Sequence, residues 1–417
     1  MELKIKRTRE ADVVVVGGGT AGVFAAVAAA KTGAKTLLLE KSGMLGGTMT
    51  NGMVTYPGLF FAWGKQIIDG PCWESVERTI ALGGGEMPKI QFQPEHHWDE
   101  QVRMNRFLYT TVLTQMCEEA GVQVLTNVMP AAAEETENGV ALLLTEKDGL
   151  TEVHAKAAID CTGDANLTVL AGYPVEKSAK QQPATLHNHL SGYEIENVSE
   201  AEVLEKFADA GMPDYFDAPA LYHWLVRHKL DVHIPCADAD TSEGRTILEQ
   251  KAQAVLLHLY RFLRGIKGME QLEIDLIADE TGVRETNRII GEDIVTAEQY
   301  ITGFHYPDSI CYAFYPIDLH VMNGIEQTFH KPNVVSRIPY GALVPKGAKR
   351  LLCAGRCISS DTYANSAIRV QAPCMATGQA AGCAAAIAVK SGCGVKDVPY
   401  TELCQALEAI GAIIPKA

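Results

Sequence analysis

The 417-residue chain holds eleven cysteines, yet no two stand in a CxxC pair, so the framework of an iron–sulfur cluster or a zinc ribbon is missing. An odd number of cysteines scattered from Cys72 to Cys404 is also a poor disulfide framework, and free thiols point to a reducing compartment. No apolar run approaches the ~20 residues of a membrane-spanning helix. The first ten residues alternate in charge where a secretion signal needs an apolar stretch. Positive charge is scarce too: 36 Lys and Arg against 51 Asp and Glu leave a net charge of −15. Nucleic acid and anionic membranes both select basic surfaces, so neither is an expected partner. Repeats and low-complexity linkers are absent as well. The expectation is a soluble, cytoplasmic globular chain, long enough for two domains of ~150 residues each.

What is present begins with a valine-rich apolar run over residues 11–16, the pattern of a parallel strand buried on both faces. It enters Gly17-Gly18-Gly19-Thr20-Ala21-Gly22, and an alanine-rich helix follows to Lys31. A second apolar strand over residues 36–39 closes on Glu40. Strand, Gly17-x-Gly19-x-x-Gly22 and helix form the βαβ context in which this motif binds a dinucleotide. The first glycine permits the tight turn, the second lets backbone approach a pyrophosphate, and the third lets helix pack on strand. The helix N-terminus offers its free N–H groups and positive dipole end to the phosphates. Glu40 stands at the distance that suits a ribose diol and disfavours a 2′-phosphate.

Two further glycine clusters favour FAD over NAD. Gly46-Gly47-Thr48 lies just past the second strand, where backbone can run beside an extended cofactor. Far downstream, Cys353-Ala354-Gly355-Arg356 ends a late strand, and Ala376-Thr377-Gly378-Gln379-Ala380-Ala381-Gly382 lies in or opens a helix of very small residues. Such a helix aimed at the flavin pyrimidine stabilises the anion formed on reduction; close helix packing is the alternative use of the same residues.

Taken together, GGGTAG, LLLEKSGMLGGTMTNG, DCTGDA, ETGVRETNRIIGED, IPYGALVP, LLCAGRCISSD and IRVQAPCMATGQAAGCAAAIA resemble the bacterial FAD-dependent oxidoreductase family, related to the fumarate reductase and succinate dehydrogenase flavoproteins. The resemblance touches both ends and the middle of the chain. It implies an α/β fold with a Rossmann-like FAD-binding domain built on a parallel sheet. Residues 186–337 differ in texture, richer in His, Tyr and amphipathic helix, and read as an α+β substrate or cap domain that interrupts an FAD-binding domain of residues 1–185 and 338–417. The resemblance also implies FAD contacts at Gly17, Gly19, Thr20, Ala21, Gly22, Glu40, Lys41, Gly46, Gly47, Thr48, Ala376, Gly378, Gln379 and Ala380. The Thr162-Gly163-Asp164 turn resembles a second flavin-binding turn, with Gly163 and Asp164 near the pyrophosphate or ribose. Gly355-Arg356 stands where relatives carry Gly-Asp or Gly-Glu, and Asp361 is a candidate substitute for the missing acid.

Arg369, with Asn365 before it, lies where the fumarate reductase relatives place an arginine that clamps a substrate carboxylate, a task suited to its paired N–H groups. The alternative is a surface or capping arginine. Arg284 and Arg288 are four apart and share a face if helical, either in a structural ion-pair network with Glu285 or, for Arg284, at the active site. His187, His189, His305 and His320 are candidate general bases. His96-His97 reads as a solvated loop, and Cys374 as a small buried residue. The expected activity is hydride exchange between flavin N5 and a small organic substrate at CH–OH, CH–NH or C=C, with a separate electron donor or acceptor and no metal. Oligomers are compatible with the sequence. An electron-transfer subunit of a larger complex and a flavin-free NAD enzyme are the alternatives.

Overall fold

In the computed structural model, which describes residues 4–92, 96, 98–213, 216, 218–322 and 324–416, the valine run lies in the second half of β1 (Ile5–Val16). Strand β1 pairs in parallel with β2 (Thr36–Glu40), and β2 with β3 (Gln123–Thr126). Its other edge carries β6 (Gly149–Asp160), which closes a meander with β4 (Met129–Thr136) and β5 (Gly139–Glu146). Strand β6 has two neighbours along one edge. Its first half pairs antiparallel with β5, and its last three residues pair in parallel with β7 (Leu351–Cys353). A parallel layer β3-β2-β1-β6-β7 therefore shares one continuous sheet with the antiparallel meander. The fold is α/β with a Rossmann-like parallel sheet.

Alternation along the strands separates two apolar layers. Val13, Val15, Leu38, Ala157, Ile159 and Leu352 face helices α1 (Gly22–Lys31) and α5 (Gln371–Ser391). Val14, Val16, Leu37, Leu39, Ala158 and Leu351 face the meander side chains Val140, Leu142 and Leu144. Both faces of the parallel strands are covered, which is why these strands read as continuous apolar runs rather than alternating ones. Helix α5 is long and apolar enough to cross a membrane by composition, but 94% of that window is buried within the protein.

A second core gathers Ala184 to Ala278 around α3 (Ser242–Leu263), whose Leu248, Ala252, Leu256, Leu259 and Leu263 lie on one stripe. The buried side chains between Val295 and Val344 pack instead into the first core. The sequence boundary at residue 337 followed a His- and Tyr-rich texture, which does not report which core a side chain enters. Two strands, Val175–Lys177 and Asn287–Ile289, pair antiparallel where the chain leaves and re-enters the first core. Helix α2 (Arg106–Glu119) starts at Arg106 because Asn105 caps it by accepting from Phe107 and Leu108 N–H.

Candidate functional site

At the end of β1 the chain turns through Gly17, whose φ is +101°. A Cβ on Gly22 would lie 1.7 Å from the Gly17 carbonyl oxygen, so only glycine lets α1 start this close to the strand. The loop of residues 46–48 then closes over the turn: Gly46 N–H donates to Gly18 O at 2.9 Å, and a Cβ on Gly47 would come within 2.8 Å of Gly19 Cα. Gly19, Thr20 and Gly47 are partly exposed and Thr48 is exposed, while Ala21 is buried. Glu40 is buried, and each carboxylate oxygen takes one backbone N–H, from Gly18 and from Ser42, both at 2.7 Å. The acid thus fixes the glycine turn, and its remaining lone pairs stay available for a ribose. Lys41 points away, exposed, to Glu280 at 2.7 Å.

The second turn is built around Arg356. Its Nε donates to Gly163 O at 2.9 Å, and its Nη groups reach Asp164 and Val283 O. Asp164 also accepts from Thr286 Oγ1 at 2.6 Å. The exchange of acid for arginine therefore has a structural reading: Asp164 supplies the charge, and the pair ties the Gly163 turn to the segment returning from the second core. Asp361, the candidate substitute for the acid, is already engaged with backbone N–H groups. Its carboxylate caps α4 (Thr362–Ile368) through Ala364 N–H at 2.7 Å and takes Ala297 N–H at 2.6 Å. Gly355 is buried with a φ of +89°.

The small residues of α5 are used for close helix packing, the alternative given above. The helix begins at Gln371, so Ala376, Gly378, Gln379 and Ala380 lie one to three turns inside it and are buried, rather than at an N-terminus. A Cβ on Gly378 would lie 2.2 Å from Ala21 O, and one on Gly382 would lie 2.1 Å from Ala25 O. These residues are small because two helix backbones touch there. Gln379 is spent on Asp69 O at 3.1 Å. Since Gly378 meets Ala21 and Gly382 meets Ala25, α1 and α5 run in the same direction. The start of α5 projects beyond that of α1 by eight residues, or about 12 Å. Neither N-terminus has a side-chain cap. Two uncapped helix starts, staggered on one side of the sheet, suit the phosphates of an extended dinucleotide.

Beside the start of α5 the structure gathers Arg369, Arg284 and His320, which are far apart in sequence. All three meet the segment of residues 182–185 or its neighbours. Arg369 Nη2 reaches Gln182 Oε1 and Asp318 O, both at 3.4 Å. Arg284 Nη1 donates to Pro183 O and, at 3.2 Å, to Thr185 Oγ1. These partners are all neutral oxygens. The Arg369 Nε and Gln182 Nε2 groups are buried with no hydrogen-bond partner among the described residues. Burial, then the charge of Arg369, brings Arg284 down to about 9. Burial also lowers Arg369, opposed by Asp318.

Both ring nitrogens of His320 are engaged, Nε2 with Asp318 Oδ2 at 3.0 Å and Nδ1 with His233 Nε2 at 3.1 Å. Burial, followed by Arg284, drives His320 down to about 3, and His233 falls to about 4 for the same two reasons. Burial acts to raise Asp318, but His320, Gln327 and Arg369 outweigh it and hold the carboxyl at about 2. Gln182, His233 and Asp318 were absent from the sequence reading. Lone polar residues in a region without motifs give no signal of convergence.

The segment of residues 284–288 is extended rather than helical. Arg288 turns to the fully buried Glu285 at 3.4 Å and to Ser360 O, whereas Arg284 does not join that pair. His187 and His189 each hold their own carboxylate, Asp231 and Asp275. His305 is exposed. Cys374 is buried against the Arg369 carbonyl, with its Sγ 3.2 Å away. His96 stacks on Trp98, and His97 lies outside the described residues.

Comparison with known sequences matches residues 12–407 to the family described as FAD dependent oxidoreductase. The thiamine thiazole synthase of Methanococcus vannielii is 28% identical over 163 residues, 37% of this chain and 56% of that protein. The mitochondrial dihydrolipoyl dehydrogenase of Caenorhabditis elegans is 52% identical over 44 residues, 11% of this chain and 9% of its own length. The chain therefore spans only part of the curated relatives it matches. Among solved structures, a geranylgeranyl bacteriochlorophyll reductase-like protein from Thermoplasma acidophilum aligns with TM-score 0.46 and 15% identity, over 97% of this chain and 83% of that one.

Proposed function

From the premise that this chain belongs to the FAD-dependent oxidoreductase family, an enzyme family with FAD as its cofactor, we propose that it oxidises or reduces a small organic carboxylate. The observation that carries this reading is the pair Arg284 and Arg369, which among the described residues hydrogen-bond only neutral oxygens and leave a buried Nε–H without a partner. A buried guanidinium N–H left unpaired is costly, and a carboxylate is the group whose geometry answers it. The kinship with fumarate reductase and succinate dehydrogenase flavoproteins is part of the same reading, supported by Arg369 at the end of the helix that precedes α5.

FAD, when bound, supplies the centre that exchanges hydride with a substrate carbon. Gly17, Gly19, Thr20, Gly22, Glu40, Gly46, Gly47 and Thr48 would hold its adenosine and pyrophosphate, with Gly163 and Asp164 near the pyrophosphate or ribose. Arg284 and Arg369 orient the substrate, Gln182 adds a further N–H, and the second core with Arg284 excludes water. Electrons leave or arrive through a separate small carrier.

The test is the visible spectrum of the purified protein before and after denaturation and filtration. Flavin bands that pass the filter identify non-covalent FAD. Anaerobic bleaching by a panel of alcohols, amines and acids then finds the substrate. Arg369→Gln is expected to lower kcat/KM for a carboxylate substrate on the order of 100-fold, with little loss for an uncharged analogue. Equal rates for both substrates in the wild type would remove the carboxylate reading.

A further inference from the structure

Behind the two arginines stands the chain Asp318–His320–His233, and its hydrogen bonds can be counted. Asp318 is held ionised by His320, Gln327 and the charge of Arg369, so it can only accept, and His320 Nε2, 3.0 Å away, carries a proton. The Nδ1 of a neutral His320 is then a bare lone pair. His233 Nε2, at 3.1 Å, must donate to it. The Val321 backbone beside the His233 ring favours its protonated form. The two hydrogen bonds of the chain use the two N–H groups that two neutral imidazoles bring. One proton added at His233 makes the pair a cation.

The groups facing the pair decide whether that proton stays. Asp231, on the segment leading to the His233 strand, and Asp318, on the strand Ile317–Val321, favour it. Arg284, on the returning segment, opposes it at both rings, and Arg369, at the end of α4, opposes it at His320. Tyr315 acts on Asp318 and on both arginines rather than on the rings directly. The two opposing charges are the ones an anionic substrate neutralises.

We propose that a carboxylate bound between Arg284 and Arg369 draws one proton onto the His233–His320 pair, so that substrate binding and proton uptake are a single event. The proposal rests on the carboxylate reading given above. It makes His233 and His320 positioning residues that act through Asp318 and the arginines, with no proton handed directly to substrate. Release of the substrate returns the proton to solvent.

The test uses FAD-loaded protein and trifluoroacetate, a carboxylate that stays ionised throughout, titrated by fluorine NMR from about pH 5 to about pH 8. The wild type is expected to weaken its binding by about tenfold per pH unit over part of that range, because the bound state holds one proton more. His233→Gln is expected to bind with a Kd that no longer moves with pH, and His320→Gln to flatten it likewise. Bound flavin in each variant confirms that the fold is intact. A wild-type Kd independent of pH, or an unchanged slope in both variants, overturns the proposal and leaves the carboxylate reading standing. Failure of the wild type to bind, or binding untouched by Arg369→Gln, overturns the carboxylate reading and the proposal with it.

Discussion

At the scale of single residues, the chain keeps several histidines neutral by burial, and this has a thermodynamic sign. His330 packs against Phe314 and Tyr300, bonds Ser336 Oγ at 2.6 Å, and is brought down to about 4 by burial. In the unfolded chain the same group titrates near 6.5. Between those values the unfolded state holds more protons, so stability rises with pH there and is fully present above about 6.5. It is lost as pH falls toward the folded value, at most by ~1.4 kcal/mol per pH unit for each such histidine. Urea midpoints measured across this range are expected to be level above pH ~6.5 and to fall below it. His330→Gln should start lower and fall less steeply; a slope equal to that of the wild type would remove His330 from the account.

At the scale of elements, the α1–α5 contact carries the most specific expectation. Gly378→Ala places a methyl group 2.2 Å from Ala21 O, at the start of α1 proposed to meet the pyrophosphate. Overpacking of this kind costs ~1–3 kcal/mol, and here the strain falls on the cofactor cradle. The expected result is a lower midpoint of thermal unfolding together with a raised Kd for FAD, read from flavin fluorescence. A loss of stability with unchanged FAD affinity would show that the helix contact and the cradle are independent.

This is also the scale at which the sequence was most legible. Residues 11–40 read correctly as strand, glycine turn, helix, strand and acid, because each signal there is local. Gly378 and Gly382 were noticed, but their partner is 350-odd residues away, and spacing alone does not distinguish a helix-packing glycine from a ligand-facing one. The Arg356–Asp164 pair was illegible for the same reason, as was the convergence of Gln182, His233 and Asp318. Sequence reported which residues could do chemistry, and only the tertiary fold reported which of them meet.

For the whole molecule, the net charge of −15 opposes the approach of an anion that Arg284 and Arg369 would hold locally. Salt screens the long-range repulsion more than the buried contact. The value of kcat/KM for a carboxylate substrate is therefore expected to rise modestly, up to several-fold, between low and physiological ionic strength. A steep fall with salt would instead mean that exposed basic groups guide the substrate.

The staggered helix pair also sets a schedule for synthesis. Helix α1 is made long before the strand β7 and the α5 that packs on it. At cellular rates of translation the interval is roughly 20 to 70 s. Throughout it, the alanine face of α1 and one edge of β6 await their partners, while the second core, made in between, can gather its own side chains. The contact between α1 and α5 therefore forms only after the second core has been made, and the staggered pair of helix starts is completed no earlier.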